Sequence, residues 1–299
     1  MPKRSQKEKY VIELKTFDLS QVRRDSTVVF IGRRRSGKSF TLRELMYSVR
    51  DISSGLVISG SEHASPFFED FIPSSFIYKD YDESILENLM KQLAKKKKRA
   101  RKKKREFKDT AFLVLDDMNY DKSWVKDKAV REIFMNGRHF NLMFIITLQY
   151  PLGIGPDLRG NIDYTFLYNT NIDADRDRIF TSFAGVLKTR QIFDQYMNAL
   201  EEFECLVIDN ACRSSNLSDC VYIYKGKQTP SFKVGCKKYW QLHYEYMKNN
   251  PEESSDDDES TDDEDAVQAM SYGGRKNLEF YNPKSKKMNL KIKRQRNRY

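Results

Sequence analysis

The residues from Gly32 to Ser39, Gly32-Arg33-Arg34-Arg35-Ser36-Gly37-Lys38-Ser39, fit the pattern G-x-x-x-x-G-K-[ST] at every fixed position. Such a loop wraps backbone N–H groups around the phosphates of a nucleotide at a helix N-terminus, where those donors have no partner within the helix. Lys38 would reach the β- and γ-phosphates of ATP, and the Ser39 hydroxyl would ligate Mg²⁺. Two carboxylates follow downstream, Asp116 and Asp117, at the end of the apolar run Ala111-Phe112-Leu113-Val114-Leu115. Asp116 could hold the metal through its water shell, and Asp117 could orient or deprotonate the attacking water. Glu62 is a second candidate for polarising water, and Gln149 is a candidate sensor of the γ-phosphate. Hydrolysis also needs positive charge on the developing transition state. Arg34 and Arg35 could supply it from within the loop; Arg138 and Arg159 could reach a neighbouring subunit in trans.

These groups need a scaffold that brings strand ends together. Ser26–Ile31 reads as a buried strand before the loop, and Phe40–Arg50 as a helix with Leu42, Leu45, Met46 and Val49 on one face. Further strands are expected at Tyr10–Leu14, Gly55–Ser59, Phe76–Tyr78, Ala111–Asp117, Asn141–Leu148, Tyr164–Tyr168, Cys205–Ile208 and Val221–Tyr224, the last two as a hairpin. Helices are expected from Asp82 through the following basic run, and at Lys126–Gly137, Arg176–Phe183 and Thr189–Phe203. Alternating strands and helices imply an α/β fold with a largely parallel central sheet flanked by helices, the P-loop NTPase class. A strand between the loop and the Asp-Asp pair fits the ATPase branch with an inserted central strand better than a nucleoside kinase. The expected organisation is a lead-in over 1–20, the ATPase domain over 21–248, and a disordered charged tail over 249–299.

The chain has 299 residues and a formal net charge of +10, unevenly spread. Every residue from Lys95 to Arg105 except Ala100 is basic, the stretch from Asp256 to Asp265 holds eight acids and no base, and ten bases follow between Arg275 and Tyr299. Tracts of this kind bind or are addressed, whereas the folded remainder is close to neutral. The tract at 95–105 has no aromatic interleaving, so it would contact backbone phosphates rather than stack on bases; a localisation signal is the other reading. No apolar stretch approaches the ~18 residues that a membrane span requires, and the N-terminus does not read as a signal peptide. Cys205, Cys212, Cys220 and Cys236 match neither a zinc pattern nor a disulfide framework.

Taken together, these motifs resemble the genome-packaging ATPases of nucleocytoplasmic large DNA viruses, the poxvirus type within the FtsK–HerA superfamily. The resemblance covers about Thr27 to Lys225 and rests on four stretches: the phosphate loop, Phe112–Met118, Arg138-His139, and Thr147-Leu148-Gln149-Tyr150-Pro151 running into Pro156–Asp163. It implies Lys38 and Ser39 on ATP and Mg²⁺, Asp116 on the metal, Asp117 in the hydrolytic role and Gln149 as sensor. It also implies a homo-oligomeric ring that pushes double-stranded DNA into a preformed capsid, in the viral factory of the host cytoplasm and in the virion. The alternatives are a helicase- or recombination-type ATPase of viral replication, and a nucleotide-gated nucleic-acid-binding protein without motor activity.

Overall fold

A computed structural model of the chain describes residues 14–62, 65–118, 123–150 and 154–250. In chain order its elements are β1 (Lys15–Thr16), β2 (Thr27–Ile31), α1 (Lys38–Ser48), β3 (Ser54–Ser59), β4 (Ile77–Tyr78), α2 (Glu83–Lys102), β5 (Ala111–Asp116) and α3 (Lys128–Asn136). There follow β6 (Leu142–Leu148), α4 (Pro156–Arg159), β7 (Tyr164–Tyr168), α5 (Asp173–Phe183), α6 (Arg190–Ala199), β8 (Glu204–Asp209), β9 (Val221–Lys225) and α7 (Lys237–Asn249).

The strands form one sheet in the order β1-β9-β8-β7-β2-β6-β5-β3-β4. Only β8 runs against the others, pairing antiparallel with β7 and β9. Strands covered on both faces must be apolar at every position, and β2 and β6 are buried along their whole lengths. Val29, Ile31, Leu113, Leu115 and Ile146 pack toward α2, α3, α5 and α6. Their neighbours Val28, Phe30, Val114 and Ile145 pack toward α1 and the segment around Phe68–Ile72. This two-sided burial fixes the register, because a one-residue slip would exchange the two faces.

Asp163 ties the start of β2 to β7. Its Oδ2 accepts the Thr27 N–H at 2.9 Å, its own N–H donates to Thr27 O at 2.9 Å, and its Oδ1 accepts from Arg23 at 2.7 Å. Arg23 is half exposed, so the ion pair itself is worth little. The buried Thr27 N–H is what matters. Asp163→Ala leaves it unpartnered and is expected to cost roughly 1–3 kcal/mol, read as a lower urea midpoint at unchanged slope.

Some boundaries differ from expectation. The chain joins the sheet before residue 21: β1 pairs in parallel with β9, and Phe17 and Leu19 are buried, so the lead-in is shorter than 1–20. Of the strand expected at Tyr10–Leu14, residues 10–13 lie outside the described residues, as does the tail beyond Asn250. The helix expected over Thr189–Phe203 stops at Ala199, because Leu200 is extended and Phe203 takes a left-handed backbone, φ 65°. Two helices were not anticipated. α4 is a single turn started by Pro156, and α7 is held by its Tyr239 hydroxyl, which donates to Gly55 O at 2.7 Å.

Candidate active site

Parallel strands deliver their C-terminal ends to one edge of the sheet, and the loop after β2 lies there. Gly32 N–H donates to Leu148 O at 3.0 Å, which joins the loop to the end of β6. Gly32 admits no side chain: a Cβ there would lie 2.5 Å from the Cβ of Tyr168. Arg35 and Gly37 both take positive φ, 62° and 100°, turning successive N–H groups inward before α1 begins at Lys38. Beneath the turn the buried Tyr168 hydroxyl donates to Thr41 Oγ1 at 2.7 Å, fixing α1 to the sheet.

Lys38 Nζ folds back on its own loop, donating to the carbonyl oxygens of Gly32 and, at 2.9 Å, of Arg33. Burial lowers its ammonium to about 8, while Asp117 and Asp116 oppose that shift. Ser36 Oγ is buried with no hydrogen-bond partner among the described residues. An orphaned hydroxyl and a lysine satisfied only by carbonyls are both supplied with acceptors when phosphate oxygens enter the loop. The adjoining cavity is about 600 Å³, a size suited to a nucleotide, and Asp116, Asp117 and Gln149 share its wall with the loop. The residues present therefore fit a nucleoside triphosphate and its magnesium ion.

The carboxylates are held by neighbouring strand ends. Asp116 Oδ2 accepts from Ser59 Oγ at 2.9 Å, across the register pair of β3 and β5, and Oδ1 accepts from Thr147 Oγ1 of β6 at 2.6 Å. Burial raises the Asp116 carboxyl above the usual range, and these two hydroxyls work against it. Asp117 sits just past β5 with φ 49°, its N–H bonded to Thr147 Oγ1 at 3.0 Å. Gln149 Nε2 donates to Asp117 Oδ2 at 2.6 Å, and Arg34 approaches the same oxygen at 3.9 Å. Thr147 thus holds the Asp116 carboxylate and the Asp117 backbone through one oxygen. Thr147→Val keeps the volume and removes both contacts. Without the Thr147 hydroxyl the buried Asp116 carboxyl is expected to titrate higher still, read by an NMR titration of that carboxyl in parent and variant.

A model of the Poxvirus A32 protein family matches residues 14–229, from just before β1 to just past β9. The chain belongs to that family. Among relatives, it is 32% identical over 245 residues to the uncharacterized protein L437 of Acanthamoeba polyphaga mimivirus, covering 80% of this chain and 85% of that one. It is also 32% identical over 221 residues to the uncharacterized protein 088R of Invertebrate iridescent virus 3, covering 72% and 82%. Among solved structures, the DNA-packaging ATPase B204 of Sulfolobus turreted icosahedral virus is similar at TM-score 0.49 and 18% identity, over 68% of this chain and 98% of that one.

In this A32-family chain the fold brings Lys38, Asp116, Asp117, Gln149 and Arg34 to one cavity. Glu62 is placed differently from expectation. It is buried, and its Oε1 accepts the N–H groups of Phe67, Phe68 and Glu69 at 2.8, 2.6 and 3.0 Å. Burial raises its carboxyl, opposed by those three donors. It anchors the loop after β3, and Phe67 rather than Glu62 reaches the cavity wall. Arg138 precedes β6 and Arg159 precedes β7, so both lie toward the opposite edge. At ~3.3 Å per residue the five residues of β2 put that edge about 17 Å from the loop. Arg159 stacks on Phe183, 5.7 Å from its ring centroid. Within one chain neither arginine meets the phosphate loop. Ser59, Thr147 and Tyr168 are the working residues that sequence reasoning left unassigned. Their signal was a polar group at the end of each apolar strand.

Proposed function

We propose that this chain is an ATPase that drives double-stranded DNA into a preformed viral capsid, acting in the viral factory and virion as one subunit of a homo-oligomeric ring. The observation that carries the reading is the Asp116–Asp117 pair, locked by Thr147, Ser59 and Gln149 at the mouth of a phosphate loop. Ser39 and Asp116 would hold Mg²⁺, which when bound offsets the charge of the phosphate oxygens. The loop N–H groups and Lys38 hold the triphosphate. Asp117 takes the proton of the attacking water, and Gln149 fixes the orientation of that carboxylate. Arg34 contributes charge from within the chain; Arg138 or Arg159 of an adjacent subunit completes the site in trans, which is the reason for a ring.

DNA would be engaged at the other end of the domain. α2 runs from the end of β4 back to the start of β5, so its basic C-terminal half reaches the edge opposite the nucleotide. Lys97 donates to His139 O at 2.7 Å, which places the exposed Arg138 beside the tract. The test is ATP hydrolysis by the assembled protein with and without long duplex DNA, beside Lys38→Ala. Duplex-stimulated turnover that Lys38→Ala abolishes supports the motor. Turnover by assembled protein that ignores duplex DNA counts against it, and stimulation without any capsid partner in infected cells favours a replication ATPase.

A further inference from the structure

We propose that Phe203 is a stacking platform for the base of a purine nucleoside triphosphate, an inference that rests on the cavity being the nucleotide site. The direction of the ligand follows from strand order. β6 and β5, with Gln149, Asp116 and Asp117 at their ends, lie on one side of β2; β7, β8 and β9 lie on the other. A triphosphate in the loop with its terminal phosphate at Asp117 points its sugar and base toward β8 and β9. That end of the cavity is built from Phe203 just before β8, Lys225 and Gly226 at the end of β9, and Phe40 on the first turn of α1.

Phe203 holds an unusual conformation there. Its φ of 65° lies in the left-handed region, disfavoured for a bulky side chain. Burial does not offset that strain, because the side chain is 48% exposed. Strained backbone of this kind, held by its surroundings, gathers where a ligand is clamped. The surroundings are the phosphate loop itself: a Cβ on Gly37 would meet the Cβ of Phe203 at 3.3 Å. Phe40, 46% exposed, offers a second large apolar side chain to the same cavity. Lys225 pairs with Glu201 at 3.2 Å and gives this end of the cavity a charged rim. An aromatic face reads the area of a base rather than its hydrogen-bonding edge. ATP and GTP should therefore bind within a few-fold of each other, and CTP and UTP more weakly.

The test is calorimetric titration of the full chain with a non-hydrolysable ATP analogue and, separately, with inorganic tripolyphosphate, both with Mg²⁺. Phe203→Ala is expected to weaken the analogue about 10-fold, the usual loss of one base–aromatic stack, and to leave tripolyphosphate unchanged. Phe203→Trp should keep the affinity, and its added indole fluorescence should be quenched by the analogue but not by tripolyphosphate. Phe203→Gly relieves the backbone, so it should melt at or above the parent temperature while losing the same affinity, which separates stacking from misfolding. Unchanged affinity for the analogue in both Phe203→Ala and Phe203→Gly overturns the platform and leaves the nucleotide site standing. A parent chain that binds neither ligand overturns both together.

Discussion

Asp117→Asn is expected to lower ATP turnover by about 10²–10⁴-fold, the range for losing a positioned general base, while nucleotide affinity stays within a few-fold. The asparagine side chain fills the same space, and its oxygen can still accept from Gln149 Nε2, which now lies 2.6 Å from Asp117 Oδ2. The backbone N–H bond to Thr147 Oγ1 does not depend on the side chain. What disappears is the negative charge and the capacity to take a proton. Affinity is the control, because the groups that would hold the triphosphate are the loop N–H donors and Lys38. Single-turnover phosphate release and equilibrium binding, measured on the same preparation, separate the two. A rate within 10-fold of the parent would move the base elsewhere. Glu62 is a poor substitute, since its Oε1 already accepts three backbone N–H groups.

The central strands were legible because strands covered on both faces leave long apolar runs, and Thr27–Ile31, Ala111–Asp116 and Leu142–Leu148 each end in a residue or loop of evident chemistry. The phosphate loop was legible because its glycines are demanded by backbone shape: φ is 100° at Gly37, and Tyr168 crowds Gly32. The contacts that align the carboxylates were not. Asp116 meets Ser59 and Thr147 across separations of 57 and 31 residues, and those meetings exist only once strand order and register are known. Glu62 shows the opposite failure. A lone acid beside a strand end reads as a catalytic candidate, and only the folded loop reveals three amide donors converging on it. Phe203 reads in sequence as the end of a helix, since periodicity carries no sign of a left-handed residue. Pro156 stands at the first position of α4, where its fixed φ suits a helix start.

Reversing four exposed charges of the basic tract, Lys95, Lys98, Arg101 and Lys102 to glutamate, is expected to weaken duplex DNA binding roughly a thousand-fold near physiological salt. The apolar stripe of α2, from Ile85 to Leu93, is buried, and Lys96 is the last buried residue, 3.9 Å from Asp109. Beyond it the helix has no core to cover. Cations suit the C-terminal end of a helix dipole, but like charges three and four residues apart repel one another. A polyanion laid along the tract relieves that repulsion and releases its own counterions. Each phosphate contact contributes about 0.9 to the slope of log affinity against log salt, so removing four contacts should flatten that slope by roughly 3.6. The measurement is a salt titration of duplex binding for the parent and the variant. Sequence should make no difference to the loss, because the tract offers charge without aromatic or base-reading groups. Stimulation of ATP turnover by duplex should fall with the affinity. An unchanged slope would take DNA off this edge of the sheet. Duplex binding would then fall to the bases between Arg275 and Tyr299, and a localisation signal would become the better reading of residues 95–105.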